Sequence, residues 1–190
     1  MQEYGRILLP VPNKLAVIIL NWRIINMDFK DQPFIPMLFG GDINTYSVAR
    51  AFYEEYQVKT YVFGKFPSGP SYNSNIIEYH ADLKIDTDDV FMKTVCDFAA
   101  AHADKTVLTI GCGDSYVALC SRHKDEMPEN VVAPYIDFEL MDRLQQKELF
   151  YRLCREHDID FPDTLVFRYG MDLDFELPFS FPVILKPSNS

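Results

Sequence analysis

From Pro33 onward, apolar positions come in blocks separated by glycine turns and by helical spacing. Residues 34–39 (FIPMLF) form a short apolar run closed by Gly40-Gly41, which reads as a buried strand ending in a turn. After Asp42, apolar or aromatic side chains recur at Val48, Ala49, Phe52, Tyr53 and Tyr56, one face of an amphipathic helix. Residues 58–63 (VKTYVF) are the next strand, closed by Gly64. A loop rich in Pro, Ser, Gly and Asn runs to Asn75, ahead of a brief strand over residues 76–80. Asp86-Thr87-Asp88 supplies N-cap chemistry for a helix with Phe91, Val95, Phe98 and Ala99 on one face. Residues 106–110 (TVLTI) are another strand ending at Gly111, and Gly113-Asp114 opens a helix through Tyr116, Leu119, Cys120 and His123. Residues 131–136 make a short strand interrupted by Pro134. Strand–helix alternation at this rhythm predicts a parallel sheet covered on both faces. The fold class is α/β: a doubly wound, Rossmann-like domain over residues 33–136.

Beyond that domain the pattern changes. Residues 137–160 read as a linking helix, with Leu140, Leu144, Phe150, Leu153 and Cys154 on its apolar side and Glu139 able to pair with Arg143. Phe161-Pro162-Asp163 breaks it. Strands are expected over residues 164–167 and 183–185, so residues 161–190 read as the beginning of a second domain, and the chain as the front part of a larger protein. Residues 1–32 read as an N-terminal extension. Its apolar run at residues 15–20 is shorter than a signal-peptide core and is followed by no small-residue cleavage site. Met27, opening MDFKDQPF, looks like a natural start; the alternative is an edge strand over residues 15–20.

Charge narrows the function classes. The 190 residues carry a net charge of −10, and 48% are apolar. That field repels phosphate backbones, so no nucleic-acid partner is expected, although a local basic pocket for a nucleotide is still allowed. No stretch approaches the ~20 apolar residues of a membrane span. The four cysteines, Cys96, Cys112, Cys120 and Cys154, contain no CxxC pair and read as reduced thiols of a cytoplasmic protein. The four histidines fall in no metal-ligand spacing, and no metal site is expected.

Two turns carry candidate chemistry. Gly40, Gly41 and Asp42 lie between a strand and a helix, but the glycines are adjacent and lack the GxGxxG spacing of a dinucleotide motif. Gly111-Cys112-Gly113-Asp114 occupies the equivalent place after a later strand. The carboxyl ends of strands form the binding crevice of open α/β sheets. These turns, with Arg50 on the first helix, therefore suit a small anionic substrate; the plainer reading is solvent-exposed turns and a surface arginine. Cys112 reads as a buried or half-buried thiol before it reads as a nucleophile. Lys186 ends the apolar run FPVILK, where an ammonium suits triphosphate oxygens. Lys147, inside the linking helix, reads alone as a solvated charge.

The order of these segments resembles an ATP-grasp ligase, and within that superfamily the D-aspartate ligase-like carboxylate–amine ligases. The resemblance is carried by FGGDINTYSVARAFYEEY (39–56), IGCGDSYVALC (110–120), VVAPYIDFELMDRLQQKELFYRLCREHDIDFPDT (131–164) and FPVILKPSNS (181–190). It implies a preATP-grasp domain followed by the first part of a nucleotide-clasping domain. It also implies ATP and Mg²⁺ as cofactors of the complete parent, and an amide formed through an acyl phosphate. D-Aspartate or a similar amino acid would be added to a peptidoglycan precursor. Lys147 and Lys186 match the two lysines that contact the ATP phosphates, and Ser188 begins the loop over them. The turns at Gly40, Gly41, Asp42, Gly113 and Asp114 would line the side of the small amino-acid or carboxylate substrate. The family's acidic and amide metal ligands have no match in this chain, so the chain alone is expected to be inactive. The alternative is a non-catalytic α/β binding module for a small carboxylate or a protein partner. A homodimer stays open.

Overall fold

Six consecutive apolar residues are stable as a strand only where both faces are covered. β1 (Phe34–Phe39) is accordingly the central strand of a five-stranded sheet. The computed structural model describes residues 27–67, 69–172 and 176–188. The elements that follow are α1 (Ile43–Tyr56), β2 (Thr60–Gly64), α2 (Gly69–Tyr72), β3 (Ile77–Ala81), α3 (Asp88–Ala101), β4 (Thr106–Gly111), α4 (Asp114–His123), a 3₁₀ turn (Lys124–Glu126), β5 (Val131–Val132), α5 (Phe138–Gln145) and α6 (Lys147–Glu156). Strand order is β3-β2-β1-β4-β5 and every pairing is parallel. The expected doubly wound parallel α/β sheet is therefore present.

Alternation along β1 divides the core into two layers. Met37 and Phe39 face Phe91, Val95, Val107 and Leu119, the layer under α3 and α4. Leu38 faces Ala49, Val62 and Ile77, the layer under α1. Phe39 and Phe91 meet with ring centroids 4.6 Å apart. Residues 27–32 are tied to this domain: Met27 joins the α1 layer, Lys30 N–H donates to Gln57 O, and the Gln32 side chain donates to Tyr56 O. The run at residues 15–20 lies outside the described residues. Among the described residues no helix is long and apolar enough to cross a membrane.

Four local expectations are corrected. The strand expected over 131–136 is only Val131–Val132, because Pro134 has no N–H to continue a ladder. The loop before β3 contains the short helix α2, seated by the Ser71 hydroxyl on Asp42 O at 3.1 Å. The linking helix is two helices, broken at Gln146, whose ψ of 110° is extended. Met141 and Cys154 are both buried. On one straight helix they would project about 140° apart, at about 100° per residue. The break lets each face inward. Finally, residues 164–167 and 183–185 are not strands, and Ile184 and Leu185 are 89% and 95% exposed. An apolar run becomes a strand only beside a hydrogen-bonded neighbour, and no described strand pairs with either segment.

Candidate functional site

Because every strand is parallel, β1, β2 and β4 all release their chains at one edge of the sheet. The chain winds outward from β1 to β3, then crosses back to β4, so the topological switch point lies between β1 and β4. A cavity of about 330 Å³ opens there, lined by Gly40, Gly41, Asp42, Lys65, Phe66, Gly69, Tyr79, Cys112, Gly113, Ser115 and Tyr116. Backbone fills the rim wherever side chains would collide. Gly40 has φ 145°, a conformation that disfavours any side chain. A Cβ on Gly64 would overlap both Gly40 O and the Tyr79 hydroxyl, and one on Gly111 would lie 2.6 Å from Val117 N.

Asp42 is the N-cap of α1. Its Oδ1 accepts from Asn44 N, Thr45 N and Thr45 Oγ1, each at 3.1 Å, and its Oδ2 accepts from Asn44 Nδ2. That carboxylate is occupied by the helix start it stabilises. Gly40, Gly41, Asp42 and Gly113 do come together around the cavity. Asp114 stands at its edge, where its carbonyl accepts from Gln145 Nε2 at 2.8 Å. Arg50 does not join them. It lies two turns along α1, 2.6 Å from Glu54 across an exposed i,i+4 pair.

The β4 turn is fixed from behind. Gly111 N–H donates to the Tyr135 hydroxyl at 2.7 Å. Tyr135→Phe removes that acceptor and is expected to lower stability by about 1–3 kcal/mol, the cost of an unsatisfied buried donor. Urea unfolding midpoints of the two proteins measure it.

Cys112 lines the cavity, but burial pushes its thiol up to about 11, with a smaller opposing effect from a hydrogen bond to Thr45. At pH 7 the thiolate is then roughly one part in ten thousand, against a few per cent for an ordinary cysteine. Alkylation with iodoacetamide should label exposed Cys96 first and leave Cys112 and Cys120 largely unmodified, read by peptide mass spectrometry. Equal rates at Cys96 and Cys112 would contradict this. Burial also raises the Tyr116 phenol to about 12, so at neutral pH it remains a hydrogen-bond donor.

Lys147 and Ser188, forty-one positions apart, meet: Lys147 N donates to Ser188 O at 3.1 Å and its Nζ to the same oxygen at 3.2 Å. Lys186 lies two residues before Ser188 and is exposed. Sequence reasoning missed Lys65, Tyr79, Ser115 and Tyr116. Lys65 had a usable signal, since it follows Gly64 directly at a strand's carboxyl end. Among the described residues no three His, Cys, Asp or Glu side chains converge as metal ligands.

Fold and crevice together define a class: a doubly wound parallel α/β domain with an open crevice at the carboxyl ends of its strands. Within that class, the chain is similar to the D-aspartate ligase of Enterococcus faecium (strain Aus0004), with 40% identity over 168 residues. The match covers 85% of this chain and 40% of that ligase, so the chain spans well under half the relative's length. No family model matches the chain, and no solved structure does.

Proposed function

We propose that this chain is part of an ATP-grasp-type carboxylate–amine ligase. Its α/β domain would hold the carboxylate substrate, and Lys147, Lys186 and Ser188 would meet the triphosphate. The 40% identity to a D-aspartate ligase supports the amide-forming chemistry and makes D-aspartate the first substrate to try.

The observation that carries the reading is a short bridge in the fold. Gln145, at the end of α5, binds Asp114 O on the crevice rim. Lys147, two residues later, binds Ser188. This bridge supports a reading in which the carboxylate and the triphosphate are held close together, as transfer of a phosphoryl group between them requires. The donors expected at the phosphate fit as well: ammonium and hydroxyl groups complement phosphate oxygens. ATP, when bound, supplies the γ-phosphoryl group that activates the carboxylate; an amine then displaces phosphate at the acyl carbon. The part of these residues is to hold both reactants in line and offset negative charge. Among the described residues no three His, Cys, Asp or Glu side chains converge, and no step assigned to this chain runs through Mg²⁺.

The test is ATP-dependent amide formation by the complete parent protein, with D-aspartate and other small amino acids offered as the carboxylate, a lysine-containing peptide and, as a trap for any acyl phosphate, hydroxylamine offered as the amine, and ADP release measured in parallel. Amide and ADP appearing together support the reading. A complete, folded parent that forms neither with any of these acids would overturn it.

A further inference from the structure

Beside the crevice stands a charged pair that phosphate binding does not use: Lys65 lines the cavity, and Asp86 lies just behind it, near enough to the lining residue Tyr116 to help raise its phenol. Lys65 comes immediately after β2, and its ammonium lies 2.5 Å from Asp86 Oδ2, with the side chains 38% and 30% exposed. Asp86 precedes α3, so the pair joins two loops that both overhang the strand ends. Tyr79 supports the same place from β3, donating its hydroxyl to Phe66 O at 2.7 Å. Lys65 is the cation among the described residues lining the cavity. Asp42 faces the cavity too, but its carboxylate is taken by the start of α1.

We propose that Lys65 and Asp86 recognise the two ends of a free amino acid in the crevice, the ammonium taking its carboxylate and the aspartate its amino group. The proposal rests on the ligase reading for the identity of the substrate and on this geometry for the residues. Both charges are present at one point, in contact with each other and with solvent, which matches a zwitterion better than a simple acid. A partly exposed ion pair is weakly held, so exchanging each partner for a ligand group of the same sign sacrifices little. The volume, about 330 Å³, lies at the low end of the roughly 300–1,000 Å³ of small-molecule sites, which favours a small ligand. The Tyr116 hydroxyl, on the cavity lining, offers a further hydrogen bond.

The 190-residue chain can be titrated by NMR or calorimetry with D-aspartate, and with succinate, which lacks the amino group. Wild type is expected to bind D-aspartate more tightly than succinate, with resonances of Lys65, Gly69 and Tyr116 shifting. Lys65→Met should weaken D-aspartate binding at least tenfold, and Lys65→Arg should restore most of it. Asp86→Asn should weaken D-aspartate binding while leaving succinate binding unchanged or improved. If the pair merely ties two loops together, Lys65→Met lowers the melting temperature and leaves affinity within twofold, which overturns the proposal. Absence of any wild-type binding to D-aspartate, or to a panel of glycine, alanine and L-aspartate, also overturns it. A parent that ligates D-aspartate with an unchanged KM in Lys65→Met sinks this proposal and spares the ligase reading. Lys65-dependent binding in a parent that forms no amide does the reverse.

Discussion

Gly64→Ala is expected to destabilise the domain by about 3 kcal/mol, at the upper end of what overpacking a close approach costs. The added methyl has nowhere to go: its Cβ overlaps Gly40 O, a backbone atom, as well as the Tyr79 hydroxyl. Gly40 cannot retreat easily, since its N–H donates to Phe63 O at 3.0 Å and its φ of 145° is already a glycine conformation. Relief would have to separate the ends of β1 and β2, where Phe39 pairs with Phe63 in register. The same separation opens the crevice floor, so stability and ligand binding should fall together. Gly113→Ala is the matched control. It lies on the same rim, its backbone is extended, and its nearest obstacle is the Tyr116 ring at 4.0 Å. Its cost should stay within about 1 kcal/mol, that of a poorer N-cap. Chemical denaturation of both variants decides it; equal losses would show that the approach at Gly64 is not the constraint.

In the complete parent, Lys186→Ala and Lys147→Ala are each expected to reduce ATP-dependent turnover or ATP affinity roughly ten- to hundred-fold. A charge-assisted hydrogen bond to a phosphate oxygen is worth about 1.5–3 kcal/mol, and about 1.36 kcal/mol is a factor of ten. The fold provides little competing reason for either side chain. Lys186 is exposed, and Lys147 Nζ makes one bond, to Ser188 O, which Lys147 N–H also supports. Thermal melts should therefore change little, in line with the ~0.5 kcal/mol of ordinary surface substitutions. Wild-type kinetic constants in both variants of an active parent would remove the phosphate assignment.

The sheet was legible because its central strands are buried on both faces. β1 is a continuous apolar run, and β2 and β4 are nearly so, broken by threonines; each run is closed by glycine. α1, α3 and α4 were legible from one-sided spacing. α2 was not, because its four residues, GPSY, are about one turn long and contain both punctuation residues of a loop. The break at Gln146 was hidden for a different reason: nothing in LQQK discourages a helix, and only the need to bury Met141 and Cys154 divides it.

The site divided along similar lines. Glycine turns at strand ends are local features, and Gly40, Gly41 and Gly113 do gather around the cavity. Asp42 was ambiguous, since an aspartate before a helix serves equally as a cap or a ligand; four hydrogen bonds assign it to the cap. Arg50 was misleading because helical spacing shows which face a residue occupies but not how far it stands from the mouth of the sheet. Tyr79 and Asp86 could not be found locally at all. Tyr79 reaches the crevice only because β3 lies beside β2, and Asp86 meets the lining residue Lys65 only because the next loop folds back toward it.

The joint at Gln146 also bears on how accurately the two lysines are held. α6 has ten residues, a rod about 15 Å long at about 1.5 Å per residue, so a swing of about 10° about its start carries the far end through about 2.6 Å. Lys147 sits at the fulcrum of that rod and is displaced hardly at all. Its neighbour Gln145 is pinned to the rim of the crevice, on the fixed side of the same joint. Lys186 lies in an exposed segment, and what ties that segment to the joint is Ser188, two residues on, whose carbonyl accepts from both Lys147 donors. The two lysines are therefore referred to one fulcrum: Lys147 stands on it, and Lys186 hangs from it by a tether of two residues.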